Sequence, residues 1–430
     1  MPNRNRKPPS ISSLIPADTL DRIARSSGLV ARSSHKFSAT AFVIALLGSV
    51  SRGASSLNHI AVGLAGFAPQ PMSRQAVAGR LSEKSSDFLA GVVSSAVARR
   101  CSRATASLRG GPFGRVLVED STVVSMFKGN AAAFPNNGNG RVDTAGCKLD
   151  LVTDLLSGDA LAARFTAARE PDQALASEIL EHCREGDLVL RDMGYFCFHA
   201  LDDIDTRGAY WMSRLPAGVS LRDTRGRPLL DMLGGAKRKR IDVWVEIGTR
   251  TPLRCRLVAT RLDEERAAAN RRHRRSEARR RGKTPKKEAL LRDGWSLVVT
   301  NVPKDELVAA KVWHLYAQRW SIEIGFRAAK QSSNAARALG HKSSEHHVKA
   351  LVLAASLMMV LGMKVYARLR PAPEDDRGVS LEKVCDAFAE YILRRNRDTL
   401  DVPFEPDPRH LAHDKRRRAT LWQSITLCLG

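Results

Sequence analysis

Six side chains in this sequence have the types and spacing for chemistry on phosphate esters. Residues 316–330 read YAQRWSIEIGFRAAK, a stretch without proline and rich in good helix formers. On one helix, at about 100° per residue, Tyr316, Arg319, Glu323 and Lys330 fall within about 60° of one another. A solvated face tolerates such a stripe, and so does the floor of a phosphate-handling site. Two further carboxylates end short apolar runs, Asp120 in RVLVED and Asp192 in LVLRD. Period-two alternation puts Asp120 on the face of Val116 and Val118, and Asp192 on that of Leu188 and Leu190, while Glu119 points the other way. An aspartate on the core face of a strand is costly unless its charge is compensated. One such residue is usually a cap or turn former. Two of them, with a helix carboxylate among cations, suit a pair of hard divalent ions. Two ions about 3.5–4 Å apart activate an attacking oxygen and stabilise a leaving one in an in-line displacement at phosphorus. Asp120, Asp192 and Glu323 are therefore the expected catalytic metal ligands. Mg2+ is the expected ion, with Mn2+ as its substitute. Arg319, Lys330 and Tyr316 are the expected donors to phosphate oxygens.

The elements that must position these groups follow from pattern. RVLVEDSTVV (115–124) and GDLVLRDMGY (186–195) read as buried strands, and KLDLVTDLLSGDALAARFTAA as two strands around a Ser157–Gly158 turn. Asp172 opens a helix, DQALASEILEHC, and YWMSRL (210–215) is a further strand. IDVWVEI, CRLVATRL and GWSLVVTNV make the interval that follows strand-rich. Strands, a helix and a late helix bearing an acid predict an α/β fold with a mixed sheet. The first hundred or so residues read as helical, with two apolar-periodic segments around a Gly/Pro break. The second opens at Ser73, a good N-cap, with Arg74, Gln75 and Arg80 nearby. That is the outline of a helix-turn-helix able to enter a major groove, or of a plain helical hairpin. Residues 346–430 read as a last helical region that can support subunit contact.

Composition names the partner. Of 430 residues, 69 are Lys or Arg and 45 Asp or Glu, a formal charge of +24. Such a surplus opposes compactness unless a polyanion is near, so nucleic acid is the first partner to consider. The longest apolar run, LVLAASLMMVLGM at 351–363, is too short to span a bilayer, and the basic N-terminus lacks the apolar core of a signal peptide. Seven cysteines without a CxxC give neither a disulfide framework nor a zinc site. These features point to a soluble, intracellular chain with no membrane partner.

The spacing Tyr-x2-Arg-x3-Glu-x6-Lys, met by Tyr316, Arg319, Glu323 and Lys330, resembles the signature of the insertion sequence 4 family of bacterial DDE transposases. EDST around Asp120 and RDMGYF around Asp192 look like that family's two aspartate boxes, except that Met193 stands where a basic residue is usual. The resemblance spans roughly residues 111–335. It implies an RNase H-like core interrupted by a β-rich insertion at about 216–303, and Mg2+-dependent cut-and-paste transposition through a hairpinned DNA end. It further implies a tryptophan on the insertion's last strand that stacks on a flipped base, a place matched by Trp295. The domains expected are thus a helical DNA-end-binding part (1–110), a catalytic domain (111–345) and the helical C-terminal region (346–430). The expected partners are the element's terminal inverted repeats and target DNA, bound by a homodimer, in a bacterial cytoplasm at the nucleoid.

The run RRHRRSEARRRGKTPKK (271–287) holds far more cation than acid, and Arg279, Arg280 and Arg281 are its expected phosphate contacts. Its bland alternative is a solvated basic helix. RGKT at 281–284 lacks the upstream glycine of a phosphate loop, since Glu277 stands there. HKSSEHH (341–347) has no partner cluster for a metal. Two rival functions remain: a structure-selective nuclease that does not rejoin ends, and a transposase-derived DNA-binding protein without turnover.

Overall fold

The computed structural model describes residues 8–31, 37–67, 71–99, 112–137, 144–249, 251–341, 344–369 and 379–412. Two compact units share the chain: Met1–Ala106, Asp120–Pro171 and Trp320–Gln423 in the first, Ser107–Glu119, Asp172–Arg319 and Ser424–Gly430 in the second. They interleave along the sequence, where the pattern reading has three consecutive spans. Strand β1 (Val116–Met126) passes from the second unit to the first between Glu119 and Asp120.

In the first unit the later half of β1, β2 (Ala145–Asp154) and β3 (Ala160–Ala167) lie in the order β3-β2-β1. The β2–β3 hairpin is antiparallel, with Leu149 opposite Phe165, and it turns at Gly158, whose φ of +74° favours glycine. The core of this unit is helical. Helix Ala39–Ser51, started by the Ser38 side chain accepting the Ala41 N–H, buries Phe42, Leu46, Leu47 and Val50 completely. A helix apolar on every side must be surrounded. It packs on helices Leu57–Ala65, Glu345–Leu369 and Leu381–Leu393, and the long helix Glu345–Leu369 packs in turn on Glu83–Ala98. The apolar run at 351–363 is the middle of that 25-residue helix. The helix is long and apolar enough to cross a bilayer, but 83% of its apolar window is buried inside the protein.

The second unit is built on a mixed sheet. The first half of β1, β4 (Leu188–Arg191) and β5 (Tyr210–Arg214) run parallel, with Val116 opposite Leu188 and Leu188 opposite Tyr210. Val116, Leu117, Val118, Leu188, Val189 and Leu190 have no exposed surface, as in parallel strands covered on both faces. Beyond β5 the sheet continues antiparallel through four later strands, β6 (Leu221–Asp223), β7 (Arg240–Ile247), β8 (Leu253–Arg261) and β9 (Trp295–Thr300). The order is β1-β4-β5-β9-β8-β7-β6, and β9 meets β5 with Met212 opposite Thr300. Residues 271–280 of the basic run form the later part of helix Glu264–Arg280, which is capped by the Asp263 carboxylate on the Arg266 N–H, and residues 281–286 connect it to helix Lys287–Arg292. The helix expected from Asp172 shrinks to Asp172–Leu175 and a 3-10 turn at Glu178–Glu181.

Candidate active site

Asp192 and Arg214 stand at the carboxyl ends of β4 and β5 in the second unit. Strand pairing ends with Arg191 opposite Ser213, and Asp192 and Arg214 are the next residues on these neighbouring parallel strands. Asp192 is 37% exposed, and the Arg319 Nε stands 4.0 Å from its Oδ1, at the limit of an ion pair. Arg214 is exposed, and among the described residues its guanidinium has no hydrogen-bond or ion-pair partner. Sequence pattern did not find Arg214; only the register of β4 with β5 brings it beside Asp192.

Tyr316 is buried, and its hydroxyl donates to the Arg191 carbonyl at 3.1 Å. Burial pushes the phenol up to about 12, opposed by the Arg319 and Arg214 charges and reinforced by Asp192. The proton is thus used within the protein, and the hydroxyl expected on a phosphate is instead tied to the backbone just before Asp192. The single helix expected over 316–330 is also divided. Helix Ala309–Ala317 ends at Gln318, where the Arg319 N–H turns back to the Tyr316 carbonyl, and a second helix, Trp320–Ser333, follows. Tyr316 and Arg319 belong to the second unit, Glu323 and Lys330 to the first.

In the first unit, Asp120 is half-buried and its Oδ1 accepts the Ser121 N–H at 2.8 Å. Glu323 is half-buried in the first turn of its helix. Lys330 donates to the Val123 carbonyl at 2.9 Å, and burial lowers its pKa.

The expectation of costly aspartates on the core face is overturned. Burial falls on Glu119, which has no exposed surface, while Asp120, inside β1, and Asp192, just past β4, reach solvent where the pairing of those two strands stops. Alternation failed here because this sheet is covered on both faces, so the last residue inside is buried whichever way it points. The Glu119 charge is met by Arg191, its register partner on β4, at 2.5 Å and equally buried.

Asp120, Asp192 and Glu323 offer only carboxylate oxygens, the donor chemistry of hard divalent ions. Each of the three side chains thus offers the donor chemistry that a divalent metal ion takes. Among the described residues no three His, Cys, Asp or Glu side chains form a ready-made cluster. That includes the histidines at 341–347, of which His347 is buried, with its pKa lowered by desolvation.

Trp295 is 7% exposed, with the Arg261 guanidinium 4.8 Å over its ring. Its indole helps line a cavity of about 290 Å³ with Met193, Arg214, Asn270, His273 and Arg292. On helix Glu264–Arg280, Arg274 is held by a two-pronged bond to Asp293 and Arg271 by Glu264. Arg272, Arg275, Arg279 and Arg280 are exposed and unpaired among the described residues, and Arg281 is exposed just past the helix end. Near the N-terminus, Ser73 caps helix Arg74–Arg80 as expected, by accepting the Ala76 N–H. Arg74 is exposed, whereas Arg80 turns inward, over the Phe37 ring and onto the Leu29 carbonyl.

A carboxylate near an unpaired guanidinium on a mixed sheet suits phosphoryl transfer, the chemistry of a class of enzymes that act on polyanions. Residues 111–360 match the family model described as Transposase DDE domain, and the chain belongs to that family of DNA transposases, polynucleotidyl transferases that use divalent metal ions. It is 27% identical over 334 residues to a transposase for insertion sequence element IS231B of Bacillus thuringiensis, covering 72% of this chain and 70% of that protein. A putative transposase, InsL, of Escherichia coli is 37% identical over 79 residues, 18% of this chain and 21% of that one. A more distant likeness, with a TM-score of 0.43 and 10% identity, is to a piggyBac transposase synaptic complex with hairpin DNA, over 92% of this chain and 84% of that chain.

Proposed function

We propose that this transposase moves an insertion sequence by cut-and-paste: divalent-metal-dependent strand cleavage, hairpin formation at the DNA end, and strand transfer into a target. The observation that carries the reading is the geometry where β1 and β4 cease to pair. Glu119 and Arg191 are in register on parallel strands, and the next residue of each strand is an aspartate. Asp192 further stands 4.0 Å from the Arg319 Nε and follows the strand that pairs with the one bearing Arg214. Asp120, Asp192 and Glu323 are the proposed ligands of two Mg2+ ions, which when bound would activate the attacking oxygen and stabilise the leaving one. Arg214 and Arg319 are placed to grip phosphate oxygens beside Asp192.

An RNase H-like core is supported by the strand orders β3-β2-β1 and β1-β4-β5, with the last three parallel where they pair. Membership of the insertion sequence 4 branch rests on the Tyr316, Arg319, Glu323, Lys330 spacing. Trp295 is the proposed stacking partner of a flipped base, and the cavity it lines is roomy enough for one. Arg272, Arg275, Arg279, Arg280 and Arg281 are proposed phosphate contacts, and Arg74 the exposed cation of an end-binding region within 1–110. A homodimer acting on the terminal inverted repeats and target DNA, at the nucleoid of a bacterial cytoplasm, completes the reading.

Replacing Asp120, Asp192 or Glu323 singly by Ala should abolish Mg2+-dependent nicking of an element end while leaving end binding largely intact, since each change spares the phosphate contacts. A variant that nicks at a near-native rate would remove that residue from the ligand set. Pre-cut ends offered with a target plasmid distinguish this enzyme from a nuclease, which would yield no joined product.

A further inference from the structure

The pair formed by Glu119 and Arg191 is a poor device for stability. Both side chains have no exposed surface, and their N–O distance is 2.5 Å. Removing two charges from water costs about what their attraction returns, so a well-packed apolar pair would hold these strands as firmly. The fit is also incomplete. The Arg191 Nε is buried without a hydrogen-bond partner among the described residues. An ion pair kept in such a place calls for a role other than stability.

Its connections show what that role is. The Arg191 guanidinium donates to Glu119 on β1, to the Ala176 carbonyl and, at 3.5 Å, to the Tyr195 carbonyl in the turn after Asp192. Its own carbonyl accepts the Tyr316 hydroxyl. Arg191 is therefore fixed by side chain and backbone, to the strand beside it, the segment before it and the turn beyond it. Asp192 is its immediate neighbour in the chain, and Asp120 that of Glu119. A directional, charge-assisted bond permits one register and one rotamer set, where an apolar contact permits slippage.

We propose that Glu119 and Arg191 are positioning residues, which fix the last paired position of β1 and β4 so that the carboxylates following them are preorganised for a divalent cation. This rests on the reading of Asp120 and Asp192 as metal ligands. Neither residue of the pair touches the ion or the DNA. They act through the backbone, as hydrogen-bonded supports behind metal ligands do, and loss of such supports costs about 10–100-fold in metal affinity.

The test uses the full chain and Mn2+ alone, with affinity read by calorimetry or by the electron paramagnetic resonance of free ion. The double variant Glu119→Leu/Arg191→Met replaces the charges by apolar groups. It should melt close to the native protein yet bind Mn2+ at least about tenfold more weakly. A role in folding alone would move the melting temperature and not the affinity. Arg191→Lys keeps the charge and loses the planar fork, and it should fall between the native protein and the double variant. Native Mn2+ affinity in the folded double variant would overturn the proposal. Should the double variant not fold, native affinity in Arg191→Lys would overturn it equally. Asp192→Ala is the control. If it binds Mn2+ as the native protein does, the metal reading fails and the positioning role with it. If it loses binding while the pair variants keep theirs, only the positioning role fails.

Discussion

The Tyr316 phenol has a single proton to give, and it gives it to the Arg191 carbonyl. With its pKa pushed up to about 12, chiefly by burial, the group stays a donor throughout the range in which the protein works. Tyr316→Phe should therefore act on the protein rather than on the DNA. Loss of one buried hydrogen bond costs about 1 kcal/mol, which in a cooperatively melting chain of this length lowers the melting temperature by about 1 °C. Affinity for a DNA end should stay within twofold, as measured by anisotropy at fixed salt. A fall in affinity with an unchanged melting temperature would return the hydroxyl to the phosphate. The pattern reading placed Tyr316 on a helix, but on one continuous with Glu323, and could not see its partner. Arg191 lies 125 residues earlier, and no spacing rule links a helix end to a strand carbonyl. The same holds for Glu119 and Arg191, 72 residues apart and joined only by parallel register.

Elements with one dominant periodicity were legible. The apolar runs ending at Asp120 and Asp192, the hairpin at Gly158 and the Ser73 cap all stand where the pattern put them. The division at Gln318–Arg319 was not, because no glycine or proline marks it and every residue around it tolerates a helix. The basic run was legible as charge and not as a face. At about 100° per residue, Arg272, Arg275 and Arg279 lie within about 60° on helix Glu264–Arg280. Arg274 and Arg271 turn to Asp293 and Glu264. This sets a division of labour. Replacing Arg272, Arg275 and Arg279 together by Gln should weaken binding to every duplex similarly. It should also flatten the slope of log affinity against log salt by up to about 0.9 for each phosphate no longer neutralised. Arg274→Gln should instead leave the slope nearly unchanged and speed amide exchange in helix Lys287–Arg292, which leads into Asp293. Equal slopes for the triple variant and the native protein would make this face a solvated surface.

Over the whole molecule, a formal charge of +24 must be carried by a fold whose first unit draws on three separated stretches of chain. Patterning cannot show this, since it reports which faces are apolar but not which distant face covers them. Helix Ala39–Ser51 makes the point: buried residues lie all round it, including Phe42, Leu46, Leu47 and Val50. Two of the helices that cover it, Glu345–Leu369 and Leu381–Leu393, come from the far end of the sequence. Residues 1–110 produced alone would leave several large apolar side chains in water, each worth about 1.5–3 kcal/mol when buried, a loss comparable to the whole stability of a small domain. Such a fragment should keep some helical circular dichroism, show no sharp thermal transition, and bind an apolar dye. The full chain should melt cooperatively and exclude the dye. A sharp transition and dispersed amide resonances from residues 1–110 alone would instead establish an independently folding N-terminal domain.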